Sequence, residues 1–174
     1  MYQKRDMEVL IMDDPVDEIV IPSAGKYKDC EFKSINRSDA AEDLKTDRDK
    51  EEEKQIEPLI TRIKHVLKDD VKDVKASTRL SDSPCCIVVD EKDPTIQMQG
   101  LLKSLGQEAP EIKPILEINP THVLITKLAG LKDDRLFEDI SRLLLEQAML
   151  IEGVTISNPS SFVKRLNQVV ERAL

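Results

Sequence analysis

The chain has 174 residues, room for one domain or a domain plus a fragment, and its 40% hydrophobic content supplies a core that must be aliphatic, since aromatics are 3% and Trp is missing. A formal net charge of −8 argues against nucleic acid and against an anionic membrane surface as partners. No apolar run approaches the roughly 20 residues that span a bilayer. The opening MYQKRDMEVLIMDDP lacks the long apolar core and cleavage site of a signal peptide, so the chain reads as cytoplasmic. Cys30 stands alone and Cys85 and Cys86 are adjacent, which is neither a disulfide framework nor a metal spacing.

In chain order, residues 7–12 read as an apolar strand. A turn at Asp13-Asp14-Pro15 leads into a short helix, DEIVI, with Asp14 as cap and Pro15 at its first position. Residues 28–35 read as a second strand. One helix and two strands cannot bury a core, so residues 1–47 read as the tail of a larger domain. Residues 39–57, DAAEDLKTDRDKEEEKQIE, are a disordered linker or a solvated helix. By Leu59, Ile60, Ile63, Val66 and Leu67 the spacing is helical, and Pro58 starts or interrupts that helix. The composition shift near Thr46 sets a second domain at 48–174.

Residues 71–77 alternate as a half-buried strand, and residues 85–89 form a continuous apolar strand expected at the sheet centre. Asp93-Pro94 is expected to cap and start a helix that stops at Gly106. Residues 115–118 give a third strand, and Asn119-Pro120 repeats the cap-plus-proline signature for a helix through Ala129. Two amphipathic helices close the chain. Phe137, Ile140, Leu144, Ala148 and Ile151 share one face of the first, widened by Leu136, Leu143 and Met149. In the second, Asn158 caps, Pro159 takes the first helical position, and Phe162, Leu166, Val169 and Ala173 form a row beside Val163, Val170 and Leu174. This much apolar surface serves either association or docking on the chain's own core.

Chemistry-bearing constellations are sparse. There is no glycine-rich phosphate loop, and neither His65 nor His122 has a Cys or His at metal-ligand spacing. The acid pairs Asp13/Asp14, Asp69/Asp70 and Asp133/Asp134 fall at turns and helix ends, where Asp is common. Cys85 or Cys86 with His122 would make a thiol hydrolase, against which stands their place in an apolar strand. Met98, Leu101, Leu102 and Leu105 form an i, i+3, i+4, i+7 face that is either core or an exposed strip for binding other proteins.

VKDVKASTRLSDSP (71–84), QMQGLLKSLGQ (97–107) and LEINPTHVLITKL (116–128) resemble the C-terminal domain of the ninety-kilodalton heat-shock chaperone family, in its bacterial HtpG type. LFEDISRLLLEQAMLIEG and NPSSFVKRLNQVV are similar to the family's dimerisation helices, and EVLIMDDPVDE (8–18) resembles the end of its middle domain. The resemblance covers nearly the whole chain in the family's order. It implies an α+β fold, a small mixed sheet packed with helices, whose terminal helix pair forms an intermolecular four-helix bundle. It divides the chain into the end of a middle domain at 1–47 and a C-terminal dimerisation domain at 48–174. It further implies a homodimeric, ATP-dependent molecular chaperone whose nucleotide site lies in a domain outside this chain. The fragment itself is then no enzyme and carries no cofactor, ATP and Mg belonging to the full-length protein. The candidate interface residues, their faces assigned by helical periodicity, are Phe137, Ile140, Leu144, Ala148, Ile151, Phe162, Leu166, Val169 and Val170. Unfolded or partly folded client proteins would meet Met98, Leu101, Leu102 and Leu105, with Pro94 standing where a bacterial relative has Met, and Ile19 at a position that is aromatic in the family. The chain ends without the MEEVD tail that recruits repeat-containing co-chaperones, so those partners are not expected. The remaining alternatives are an oligomerisation module without a client surface and the thiol hydrolase.

Overall fold

The computed structural model describes residues 7–12, 14, 16–37, 40, 45–90, 92–107 and 112–174, and the α+β class holds, with six helices and two small sheets among them. Residues 7–12 are not a strand. They have no ladder partner among the described residues, and their apolar side chains stand in solvent, Ile11 89% exposed. Helix α1 (Asp17–Ala24) starts after Val16. Asp14 contributes by accepting from the Val16 amide at 2.9 Å, while Pro15 lies outside the described residues. The expected strand at 28–35 is instead a minimal hairpin, β1 (Lys26–Tyr27) against β2 (Cys30–Glu31). Lys28 and Asp29 both adopt positive φ, 46° and 66°, the geometry that closes a two-residue hairpin with the right twist.

The charged stretch becomes helix from Asp47 onward. Helix α2 (Asp47–Val66) opens with a reciprocal cap: the Asp49 amide donates to Thr46 Oγ1, and the Asp49 carboxylate accepts from the Thr46 amide at 2.7 Å. Pro58 neither starts nor interrupts it. The proline withholds one N–H from the helix ladder, but Leu59 and Ile63 on the following turns are buried and hold the helix on the sheet.

The three-stranded sheet has the order β3-β5-β4, with β3 (Asp73–Ala76) parallel and β4 (Cys85–Val88) antiparallel to β5 (Ile115–Ile118). The centre is therefore β5 and not β4, a correction whose cause is Glu117: a carboxylate in the middle of the strand makes it look less buried than it is. All four β5 residues are buried. Side chains alternate across a strand, so the register sorts the sheet into two faces. Val74, Leu116 and Ile87 align on one, as do Ala76, Ile118 and Cys85. Lys75, Glu117 and Cys86 align on the other.

The first face meets α2, α4 (Val123–Ala129) and α5 (Asp134–Ile151) in a single core that includes Ile63, Leu67, Leu116, Ile118, Ile125, Phe137 and Leu144. Arg62 fastens α2 to the start of α5. Its guanidinium lies 3.6 Å over the Phe137 ring, and it donates to the Leu131 carbonyl and to Asp134, both at 2.7 Å.

Two expected caps move. Helix α3 (Ile96–Ser104) begins at Thr95, whose hydroxyl accepts from the Met98 amide, so Asp93-Pro94 precede the helix rather than start it. Its end is as expected: Gly106, at φ 71°, donates to the Lys103 carbonyl while the Gln107 amide reaches Leu102, a Schellman closure. Helix α4 is capped by His122 Nδ1, which accepts from the Leu124 amide. Asn119 serves the preceding turn, donating to the Ser81 and Ser83 carbonyls. Helix α6 (Pro159–Ala173) has the cap and proline that the sequence announces.

Leu116→Ala, at the fully buried centre of β5, should lower the unfolding free energy by about 2–5 kcal/mol in urea titration. Ile11→Ala should stay within about 0.5 kcal/mol of the parent in the same measurement.

Candidate functional site

Helix α5 carries two faces. Phe137, Leu144 and Ala148 are 1–2% exposed and belong to the chain's own core, as does Leu145. Three of the residues grouped by spacing at a partner interface therefore face home. Ile140 is half-buried and packs against that core. Ile151 is 76% exposed, and Leu150 beside it also faces solvent. Helix α6 packs along α5 and has no buried residue. Phe162 and Val169 are half-buried, whereas Val163, Leu166, Val170 and Leu174 are exposed at i, i+3, i+7 and i+11. The structure thus splits the α6 residues into two rows, and the open one contains Leu166 and Val170. Two ion pairs fix α6 on α5: Arg165 with Glu146, mostly buried, and Arg172 with Asp133 at 2.6 Å. Asp133 also caps α5 by accepting from the Leu136 amide. That amide, then Arg172, hold its carboxyl below the usual range.

Helix α3 likewise has no buried residue. Ile96 packs against the core, Met98, Leu101 and Leu102 are half-buried, and Leu105 is 64% exposed. The strip is therefore not core. Ile19, in α1, is exposed. The first turn of α3 lies beside the end of α5, where Gln97 and Glu152 line the same pocket; burial pushes the Glu152 carboxyl up, and Gln97 only partly offsets it. A shallow pocket opens there, lined by Asn36, Val89, Thr95, Ile96, Gln97 and Glu152 among others.

The second sheet face holds a polar cluster that composition did not flag. Glu117, 4% exposed, accepts from Arg79 Nη2 at Oε1 and from the Ser77 hydroxyl at Oε2, both at 2.9 Å, and Arg79 Nε lies 2.9 Å from Oε2. Burial raises the Glu117 pKa, an effect that Arg79 opposes. Cys86 Sγ sits 4.0 Å from the same carboxylate, and Cys85 donates to the Leu144 carbonyl at 3.2 Å. Burial pushes Cys85 up to about 11, and burial with the Glu117 charge pushes Cys86 up to about 12. Such thiols are protonated at neutral pH and are poor nucleophiles, and His122 Nδ1 is engaged in capping α4. The hydrolase alternative has no support in this geometry. Among the described residues no Cys, His, Asp and Glu group is arranged to hold a metal, and no helix is long and apolar enough to cross a membrane.

The described residues leave an open apolar row on α6 and a half-open apolar helix α3 around one shared core. The family model described as Hsp90 protein matches residues 1–174, the entire chain. The chain belongs to the Hsp90 family. The chaperone protein HtpG of Treponema denticola is 48% identical over 175 residues, covering 98% of this chain and 27% of that protein. HtpG of Treponema pallidum is 46% identical, covering 98% of this chain and 28% of that protein. HtpG of a Sulfurovum species is 47% identical, covering 99% and 28%. The chain spans little more than a quarter of the length of these relatives.

At neutral pH a maleimide or iodoacetamide reagent should label Cys30, which is exposed, quickly, and reach Cys85 and Cys86 only on unfolding; mass spectrometry of the time course would show it. Glu152 also makes a pH prediction. A carboxyl whose folded pKa is raised leaves the folded state holding more protons between the unfolded and folded values, so its contribution is full below the ordinary carboxyl range and is lost as pH rises through the raised value. Glu152→Gln should therefore gain stability relative to the parent as pH rises from about 4 toward neutrality in urea titrations at successive pH values. A difference that stays flat would show that the burial of Glu152 has no energetic weight.

Proposed function

We propose that this chain is the dimerising and client-contacting part of an ATP-dependent molecular chaperone of the cytoplasm. In this reading residues 1–47 end a middle domain, residues 48–174 form the C-terminal dimerisation domain, and ATP and Mg bind in parts of the longer protein outside this chain. The fragment on its own is a binding module and not an enzyme. Membership of the Hsp90 family and the HtpG relatives support the chaperone role.

The observation that carries the reading is the exposed row Val163, Leu166, Val170 and Leu174 along α6, with Leu150 and Ile151 also exposed at the end of α5. Burying an aliphatic side chain of this size contributes about 1.5–3 kcal/mol. Six from each of two copies outweigh an association cost of about 4–15 kcal/mol. The α5–α6 pair of one chain against that of another makes a four-helix bundle. Phe137, Leu144 and Ala148 then hold each pair on its own core, while Ile151, Leu166 and Val170 meet the partner and Ile140, Phe162 and Val169 lie beside the seam. Met98, Leu101, Leu102 and Leu105 offer unfolded chains an apolar contact, with Ile19 as a further one. Apolar burial makes no directional demand, which suits a surface that takes many sequences. A plain oligomerisation module would have had no reason to leave α3 without a single buried side chain.

Leu166→Asp should convert a dimer into a folded monomer in sedimentation at micromolar concentration, because it puts a charge into an apolar seam. Leu144→Asp should unfold the chain instead, since that site is core. A Leu166→Asp protein that stays dimeric overturns the interface. Met98→Ser with Leu102→Ser should weaken binding of a permanently unfolded probe, such as reduced and carboxymethylated α-lactalbumin, several-fold without changing sedimentation. Unchanged binding removes α3 from the client surface.

A further inference from the structure

Helix α3 has no buried residue and meets the core through Ile96, so the loop that enters it bears on where the rest of the helix stands. Two cations grip that loop. Lys72, just ahead of β3, reaches the carboxylates of Asp90 and Asp93 at 2.7 and 3.1 Å. Arg37 reaches the backbone: its Nη1 donates both to the Asp90 carbonyl at 3.0 Å and to the Asp93 carbonyl at 2.9 Å. Two residues later Thr95, 3% exposed, caps α3.

Arg37 comes from the segment ahead of α2, and that segment is fastened to the sheet. Arg37 forms a bridge with Val89 at the outer edge of β4, and the Val89 amide donates to the Asn36 carbonyl. Arg79 donates to the Arg37 carbonyl at 2.9 Å and also to that of Ile35. Arg79 is itself held by the buried Glu117. A continuous chain of contacts therefore runs from Glu117 through Arg79 to the Arg37 backbone, and from the Arg37 guanidinium to the loop that starts α3.

We propose that Arg37 is the positioning residue of α3, the point at which the segment preceding α2 sets where the Met98–Leu102 strip stands. One terminal nitrogen of a planar, rigid guanidinium donating to two carbonyls of the loop ties the backbone itself, which the Lys72 contacts to side-chain carboxylates do not. The partner side of this inference rests on α3 being the client-contacting surface; the positioning itself does not.

The test is amide hydrogen exchange on the full chain, with binding of the same unfolded probe measured in parallel. Arg37→Ala should speed exchange of residues 96–107 by about tenfold or more while the β5 and α5 amides keep their protection. Probe affinity should fall several-fold with sedimentation unchanged. Arg37→Lys, which retains charge and donors but not the planar, rigid geometry that holds them in place, should restore only part of both. Unaltered exchange in α3, or exchange that rises equally throughout the molecule, overturns the proposal. If Arg37→Ala loosens α3 alone while Met98→Ser with Leu102→Ser leaves probe binding intact, the positioning stands and the client reading fails.

Discussion

The structure depends on β5 having two different faces. Leu116 and Ile118 enter the aliphatic core, and Glu117 between them points the other way into a buried pairing with Arg79. A buried ion pair is a weak net stabiliser, because the loss of water around two charges cancels much of their attraction. Its force is in what it forbids. A shift of β5 by one residue would drive the Glu117 carboxylate into the core and leave Arg79 without its carboxylate partner, which disfavours any other register. The same pair recruits the backbone at Ile35 and Arg37, so a constraint on strand register also fixes a segment that precedes the whole sheet in sequence.

With almost no aromatic residues, the core is made from aliphatic side chains donated by every layer: Ile63 and Leu67 from α2 and its end, Leu116 and Ile118 from β5, Ile125 from α4, Leu144 from α5. That division leaves α6 outside. Its Arg165 and Arg172 are tied to α5 by charge, and its apolar residues divide between a half-buried row and an open one. The open row of Leu and Val on α6 is the surface that the proposed dimer would cover, while Phe162, Val169 and the Arg165–Glu146 pair hold the helix on α5.

The sequence showed most of the elements and few of their neighbours. The three sheet strands, the terminal helix pair, the Asn158-Pro159 start and the Gly106 stop were legible because each is a local pattern of periodicity or capping. Residues 7–12 were not, since an apolar run looks the same whether or not a strand lies beside it. The hairpin at Lys28-Asp29 was hidden because neither residue is the Gly or Asn that usually marks positive φ. The centre of the sheet was misplaced because hydrophobic continuity favoured β4, whereas the central position of β5 depends on Arg79 neutralising Glu117, a long-range contact. Spacing put Phe137, Leu144 and Leu166 into one group; only packing separates the residues that face the core from the one that faces outward. Arg37 had no local signature, as its contacts span more than fifty residues.

The two apolar surfaces are mechanically related through α5. Its inner face is locked to the sheet by Phe137, Leu144 and Ala148, its flank holds α6 through Glu146, and Glu152 at its end shares a shallow pocket with Gln97 in the first turn of α3. Of these three attachments the first is apolar and deep, and the last is a single partly buried carboxyl. Helix α3 is held by Ile96 on the core, by this end of α5 and by the loop that Arg37 grips, none of them through a fully buried side chain of α3. In the proposed reading the deeper attachment thus falls on the helix that carries α6 and the lighter one on the client-contacting helix, which suits a surface that would meet chains of varied shape.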